Sequence, residues 1–485
     1  MTLSRTEEQR AIIDAAVNTT GNIMVTARAG SAKTTTLIWI AEAMPRSVTG
    51  LTLAFNAKIR DEMRDRMPSN FTAMTLNGIG YSAWRRFISR PTRVWKTKNY
   101  NLLKEQIDKL DKDEQSAAWE TFGDTLRAIA AGKNAGYLYD NTSAAYKPLI
   151  TEEDFFGEFL EINATELQRE LINRVTKLSW EKTKQGILDF DDMILAPAVA
   201  GVSFDSYDMV LIDEAQDLSA INHVLVQKIV KSRSRVILVG DPCQAIYGFR
   251  GADTTSMNKL GKMFDAKPFS LTTSFRCSQA VTENARWRAP DMRWPDWAKP
   301  GLVLHAADWA SEDIPDGAAV LCRNNAPLFA MAIRLLRDGR YPELAGRDII
   351  KNVVAKLKKV GKPSVKRESA LLGVSAWLET EKLRHKDHRL LEDTAACLKI
   401  FIGETETLGD AIAFAQRLGG QAGHIQLMTG HRAKGLEFEK VFFLDHFLCT
   451  KNGQDPNIKY VIETRAIDDL IYVDSKTYET KESDE

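Results

Sequence analysis

The residues best placed to do chemistry in this 485-residue chain begin with Ala27-Arg28-Ala29-Gly30-Ser31-Ala32-Lys33-Thr34-Thr35. Small residues let backbone amides close around an anion. A lysine at the end of such a turn reaches the terminal phosphates of a nucleotide, and the following threonine hydroxyl can hold a magnesium ion. Ala29, Gly30, Ser31, Ala32, Lys33, Thr34 and Thr35 are therefore candidate phosphate contacts, with Thr34 a candidate metal ligand. The phosphate-loop pattern has glycine where Ala27 and Ala32 stand. A methyl group at Ala32 restricts the loop, because only glycine tolerates any φ freely. The bland alternative is a buried strand-turn-helix with a stray lysine.

Two further stretches settle that alternative. Met209-Val210-Leu211-Ile212 is an apolar run that ends in Asp213-Glu214-Ala215-Gln216-Asp217. An aspartate at that end can hold the metal of a nucleotide, and the adjacent glutamate can accept a proton from an attacking water. Arg235-Val236-Ile237-Leu238-Val239 then runs into Gly240-Asp241-Pro242-Cys243-Gln244 and on to Tyr247, Phe249 and Arg250. Gln244 at a strand end can sense a γ-phosphate, while Tyr247, Phe249 and Arg250 can touch a base or a backbone. Arg276, in Ser274-Phe275-Arg276, is a candidate cation for charge building on a transferred phosphoryl group.

Strands alternating with helices must position these groups, and that alternation predicts a parallel sheet with its ligands at the strands' C-terminal ends. Leu51 to Asn56 and Ala73 to Gly78 are further strand-to-loop junctions, so Phe55, Asn56, Thr75 and Asn77 fall at such ends. Leu3 to Ala16 reads as an amphipathic helix capped by Ser4 or Thr6, with Ile12 and Ile13 facing inward. Gln9 on that helix reads as solvated, although an amide can pair with adenine N6 and N7. Trp84 to Lys184 is helix-rich, and its start interleaves Trp84, Arg85, Arg86, Phe87, Arg90, Arg93, Trp95, Lys96, Lys98 and Tyr100. Basic residues among aromatics suit a nucleic-acid backbone with stacked bases, and equally a solvated helix with a packed aromatic face. A second α/β set follows at Ala318 to Arg323, Ile425 to Thr429 and Lys440 to Leu444. Between its first two pieces lies a helical stretch that starts basic.

Composition bounds the function classes. The chain is 44% hydrophobic and 27% charged, with zero net charge, so any nucleic-acid surface must be local. Five scattered cysteines (Cys243, Cys277, Cys322, Cys397, Cys449) offer no zinc spacing and fit a reducing compartment. The N-terminus carries no signal-like apolar stretch, and no run is long enough to span a membrane. A cytoplasmic protein of a bacterium or of a phage-infected cell is the expectation.

Taken in order, Ile212-Asp213-Glu214-Ala215-Gln216-Asp217, Gly240 to Ala252, Leu427-Met428-Thr429-Gly430-His431-Arg432-Ala433-Lys434-Gly435-Leu436-Glu437-Phe438 and Thr464-Arg465-Ala466 form a series. In it the chain resembles the superfamily 1 DNA helicases of the UvrD/Rep/PcrA group, from Gln9 to about Val473. The resemblance implies an α/β fold of two RecA-like parallel-sheet domains, each with a mostly helical insertion, with ATP and Mg2+ between them. It implies that Gln9 reads adenine, that Lys33 and Thr34 hold phosphate and magnesium, that Asp213 is the metal carboxylate, and that Glu214 is the general base. It gives Gln244 the γ-phosphate, Phe275 the adenine face, Arg276 and Arg465 the transferred phosphoryl charge, and Gly435 and Glu437 the nucleotide's ribose side. Phe55, Asn56, Thr75, Asn77, Tyr247, Phe249, Arg250, Thr429 and His431 fall on motifs that line a single-strand path. The implied partners are single-stranded DNA and duplex junctions, with replication or repair proteins beyond them, for a monomer moving 3′ to 5′. No nuclease-like carboxylate cluster follows the last motif.

The expected boundaries are 1–84 with 190–275 for the first domain and 85–189 for its insertion. The second domain takes 276–346 with 421–475, its small basic insertion 347–420, and a disordered tail 476–485. Departures from the family pattern are Ala32, Thr35 in place of a frequent arginine, Asn77 in place of a histidine, and Asn457-Ile458-Lys459-Tyr460 in place of an acidic-arginine run. These leave a nucleotide-gated DNA-binding protein with little turnover as the alternative, and an RNA-acting enzyme as a third reading.

Overall fold

Short, continuous apolar runs make strands that are buried on both faces, and such strands belong inside parallel sheets. The computed structural model of the protein describes residues 5–139, 145–248 and 255–479. The chain divides into two compact units, Met1–Ala27 with Ala32–Leu271, and Arg28–Ser31 with Thr272–Glu485.

The first unit contains β1 (Ile23–Ala27), β2 (Gly50–Ala54), β3 (Phe71–Thr75), β4 (Arg93–Val94), β5 (Ile187–Leu188), β6 (Met209–Ile212), β7 (Arg235–Gly240) and β8 (Lys267–Leu271). Six of them form a parallel sheet in the order β3-β2-β6-β7-β1-β8. Successive residues of a strand face opposite sides. Accordingly Val210, Ile212, Val236 and Leu238 join one core, while Met209, Leu211, Ile237 and Val239 join the core on the other side. The order matters for chemistry. It sets β6, β7 and β1 side by side, so the loops after them emerge together.

The helix Glu7–Asn18 is capped by Thr6, and Ser4 lies outside the described residues. The Thr6 hydroxyl accepts the Gln9 N–H, and the Gln9 side chain accepts the Thr6 N–H in return. Gln9 is therefore buried, not solvated, and its Nε2 also reaches the Thr36 hydroxyl at 3.4 Å. Ile12 and Ile13 face the core as expected.

Between β3 and β6 the chain is mostly helical, with its own core around Leu103, Ile107, Ile129, Phe155, Leu171 and Val175. Four buried charges close this region. Lys133 Nζ donates to Asp189 at 2.6 Å and to Asp192 at 2.7 Å, and Lys98 pairs with Asp192. Lys98 also donates to the Thr183 hydroxyl at 2.9 Å and the Ser179 carbonyl at 3.2 Å. The nucleic-acid reading of this segment is corrected here for two residues. Trp84 is fully buried, with its Nε1–H on the Thr183 carbonyl, and Lys98 is spent on its countercharges. Phe87 and Tyr100 remain exposed.

The second unit contains β9 (Leu302–His305), β10 (Trp309–Ala310), β11 (Ala319–Cys322), β12 (Pro342–Leu344), β13 (Ile425–Thr429), β14 (Phe438–Leu444), β15 (Ala466–Val473) and β16 (Tyr478–Glu479). Its parallel sheet runs β12-β13-β11-β14-β15-β9. Helices Arg347–Val360, Arg367–Arg384, Arg389–Gly403 and Leu408–Gly419 lie between β12 and β13. The expected disordered tail is corrected at its start. Tyr478 is buried, its ring meets Trp309 edge-on, its hydroxyl bonds Asp338, and β16 pairs with β10. Residues 480–485 lie outside the described residues. Among the described residues, no helix is long and apolar enough to cross a membrane.

Candidate nucleotide site

After β1 the chain turns and enters the helix Lys33–Ala43. The residue before this helix is Ala32, at φ 59 and ψ 41, the left-handed region that glycine occupies without strain. Ala32 has no side-chain acceptor, and the first turn carries no acidic residue, so the opening amides are uncapped by side chains. Such a helix start attracts an anion through its free N–H groups and its dipole. Ser31 Oγ is buried and has no hydrogen-bond partner among the described residues.

Lys33 and Thr34 meet the end of β6. Lys33 Nζ lies 3.3 Å from Glu214, and the Thr34 hydroxyl donates to Asp213 at 2.9 Å. Burial alone pushes the Lys33 ammonium down, but the fields of Glu214, Asp241 and Asp213 outweigh it and hold the group above its ordinary value. Burial, and then the Glu214 charge, push the Asp213 carboxyl up to about 6 against the pull of Lys33. Glu214 sits at φ 51, an uncommon backbone for a non-glycine residue, and such strain gathers at functional positions. The site thus holds three carboxylates around one lysine. Hydroxyl and carboxylate oxygens make a hard-donor set, so Thr34 and Asp213 fit a magnesium ion, and the negative excess favours one.

Gln244, predicted as a phosphate sensor, is buried, and its amide donates to the Asp241 carboxylate at 2.7 Å. Sequence reading gave no role to Asp241 or to Gln216, which links the ends of β6 and β7. The Gln216 amide donates to Glu214 at 2.5 Å and accepts the Asp241 N–H at 2.9 Å. The only available signal was position, since both lie within the motifs that carry the chemistry. Thr35 accepts from Arg66 at 3.3 Å.

The predicted strand-path residues divide. Phe55 and Tyr247 stack, with centroids 5.7 Å apart and planes 12° apart. Asn56 and Thr75 cap helices, accepting the N–H groups of Ile59 at 2.9 Å and Gly78 at 3.1 Å. The Asn77 amide donates to the Phe190 carbonyl at 2.8 Å, and the exposed Phe190 ring lies under Lys96. Phe249 and Arg250 lie outside the described residues.

In the second unit, the Ala29 N–H donates to the Tyr460 hydroxyl at 3.2 Å, and the Phe275 N–H to the Gly30 carbonyl at 2.9 Å. Tyr460 is one of the residues that departs from the family pattern. The Phe275 ring stacks with the exposed Trp297 ring at 6.3 Å. Arg276 pairs with Glu437 at 2.7 Å, which joins two residues expected to hold different parts of a nucleotide. Arg465 is buried, and its guanidinium donates to the carbonyls of Val461 at 2.9 Å and Leu436 at 3.1 Å. Gly435 turns at φ 87, Thr429 is buried at the end of β13, and His431 lies half-buried in the short helix Gly430–Ala433.

The UvrD/REP helicase N-terminal domain family matches residues 5–265, more than half of the chain. The F-box DNA helicase protein 1 of Schizosaccharomyces pombe is 25% identical over 352 residues, covering 68% of this chain and 39% of that protein. The F-box DNA helicase 1 of Gallus gallus is 23% identical over 504 aligned positions, covering 96% and 48%. A probable DNA helicase II homolog of Mycoplasma pneumoniae is 24% identical over 244 residues, covering 48% and 34%. The chain spans half or less of the length of these relatives, which come from eukaryotes and from a bacterium.

Proposed function

Because the chain belongs to the UvrD/REP helicase family, we propose that it is an ATP-driven motor that moves along single-stranded DNA, 3′ to 5′, and opens duplex junctions. The observation that carries this reading is the uncapped start of the helix Lys33–Ala43 beside the carboxylates of Asp213 and Glu214.

The chain's own residues divide the work. The loop amides and Lys33 take the terminal phosphates. Thr34 and Asp213 would hold magnesium, whose charge stabilises the transferred phosphoryl group when bound. Glu214 takes a proton from the attacking water, with Lys33 Nζ 3.3 Å from its carboxylate. Gln244 reports the γ-phosphate to the loop that carries Tyr247, and the Tyr247–Phe55 stack supplies an aromatic platform for bases. Phe275, with Trp297 against it, offers the adenine a face, and Gln9 and Gly435 complete the base and ribose side. Arg276 must exchange Glu437 for phosphate oxygens before it can neutralise the phosphoryl charge. Arg465 needs a comparable change of partners. That exchange gives the motor two states for a bound nucleotide to shift between. Replication and repair proteins are the expected partners of a monomeric enzyme.

A tailed-duplex displacement assay with ATP and magnesium tests the reading. Displacement from a 3′-tailed duplex, and none from a 5′-tailed one, is expected. Hydrolysis without displacement would reduce the function to translocation. The strained Ala32 favours a second reading, a nucleotide-gated DNA binder, and binding with no turnover would establish that instead. Stimulation by RNA and not by DNA would move the substrate class.

A further inference from the structure

Gln216 touches the ends of both β6 and β7. Gln216 is 1% exposed. An amide buried to that extent costs about 1–3 kcal/mol unless its donor and acceptor are both used. Here both are used, on different strands. The Nε2 group donates to the Glu214 carboxylate after β6, and Oε1 accepts the Asp241 N–H after β7. The Asp241 carboxylate accepts in turn from the Cys243 N–H at 3.1 Å and from the Gln244 amide. An unbroken chain of hydrogen bonds therefore runs from Glu214 to Gln244, and three residues beyond it Tyr247 stacks on Phe55.

The surroundings are shaped for this arrangement. Gln216 stands on the short turn Ala215–Asp217. The Ser256 hydroxyl donates to the Ala215 carbonyl at 2.7 Å and lies 2.8 Å from His223 Nε2, which pins that turn from behind. A Cβ at Gly240 would lie 2.4 Å from Gln216 Oε1, so only glycine there lets the amide reach Asp241. Glutamine is the fitting side chain because it donates at one end and accepts at the other. Glutamate would keep the acceptor and repel Glu214. Methionine would keep the volume and lose both bonds.

We propose that Gln216 is a positioning residue that couples the carboxylate of Glu214 to the loop Asp241–Tyr247, so that nucleotide state and grip on the single strand change together. The proposal rests on the function given above. It requires the two strand ends to move as one two-state element, which both ligands bias.

The test uses the full chain with a labelled oligothymidylate and a non-hydrolysable ATP analogue. The coupling factor is the ratio of strand affinities with and without the analogue, measured for the wild type, Gln216→Met and Gln216→Glu. A wild-type factor of about ten or more is expected. In Gln216→Met it should fall to within about twofold of unity, while each ligand alone binds within about threefold of the wild type. Amide hydrogen exchange of 241–247 without ligands should quicken in Gln216→Met and stay slow in Gln216→Glu, which keeps the Asp241 bond. If Gln216→Met does not fold, Gln216→Glu carries the test, with reduced coupling and unchanged exchange. A wild-type coupling factor retained in a folded variant overturns the proposal. So does a wild type that binds both ligands with no coupling, whereas failure to bind the strand at all overturns the function itself.

Discussion

Lys98 and Lys133 meet Asp189 and Asp192 in one buried cluster, and Lys33 meets Asp213, Glu214 and Asp241 in another. Both lie in the first unit, and both are built from the same functional groups. They differ in balance. In the first cluster two cations make direct ion pairs with Asp189 and Asp192, and the Asp191 carboxyl beside them is pushed up to about 6 by burial and by Asp189. Burial opposes the Asp192 carboxylate, yet Lys133 and Lys98 hold it down at about 2. In the second, one cation faces three anions, and Asp213 is pushed up to about 6. The ion pairs of the first cluster are satisfied within the protein, and removing one partner leaves a buried charge unmatched. An unbalanced cluster is completed by something else, and in the second the hard oxygen donors and uncapped helix start point to a metal and a phosphate chain.

Removing the proposed base should have the largest effect. Glu214→Gln is expected to lower ATP turnover by about 10²–10⁴-fold and to leave nucleotide binding within a few-fold. Near-normal turnover in that variant would take Glu214 out of the base role and blur the contrast between the clusters.

Breaking the balanced cluster should instead cost stability. Asp192→Asn takes from two buried ammonium groups the carboxylate they share, and about 3–5 kcal/mol is the expected loss in chemical denaturation. A loss below about 1 kcal/mol would mean that the quartet is not what closes the helical region. The pH dependence follows from the same group. A carboxyl held below its ordinary value of about 3.9 contributes stability that is present above that pH and lost as pH falls through about 2. Across that window the wild type should therefore lose stability that Asp192→Asn does not lose. Parallel curves for the two proteins would contradict the assignment.

The opposite sign is expected at the unbalanced cluster. Asp213→Asn keeps an oxygen for the Thr34 hydroxyl, gives up the bond from the Glu214 N–H and removes one of three like charges, a relief that offsets the lost bond. Without metal and nucleotide it should be as stable as the wild type or more so, by about 1 kcal/mol, while losing turnover. A clear fall in melting temperature would show that Asp213 is structural. The smallest effect is expected from Ala32→Gly. Relief of a left-handed alanine is worth about 1–2 kcal/mol, and the added freedom of glycine returns about 0.5–1 of that. A gain of about 0.5–1 kcal/mol in thermal unfolding is the result, and a loss would mean that the methyl group packs usefully.

The unbalanced cluster was largely legible in the sequence, and the balanced one was not. Lys33, Asp213, Glu214 and Gln244 announce themselves because a parallel sheet delivers ligands at strand ends, and the apolar runs before them mark those ends. Lys98 reads as part of a basic, aromatic surface because its countercharges come about ninety residues later, in Asp189 and Asp192. Sequence order does not reveal such a partner. Gln9 was misread as solvated for a related reason. Its amide closes a local cap, and the core beneath the helix buries it. Gln216 and Asp241 sat in plain view inside their motifs, but their roles depend on β6 and β7 being neighbours, which is a property of topology. The pairing of Arg276 with Glu437 likewise depends on a fold that brings residues 161 positions apart within reach.

The most direct test of the account is the rate of ATP hydrolysis with and without single-stranded DNA, measured for the wild type beside Lys33→Ala. The account predicts strong stimulation by the strand, lost in the variant, because Lys33 is the one cation at the unbalanced cluster among the described residues. Equal rates with and without DNA, or a stimulated rate that survives Lys33→Ala, would contradict it.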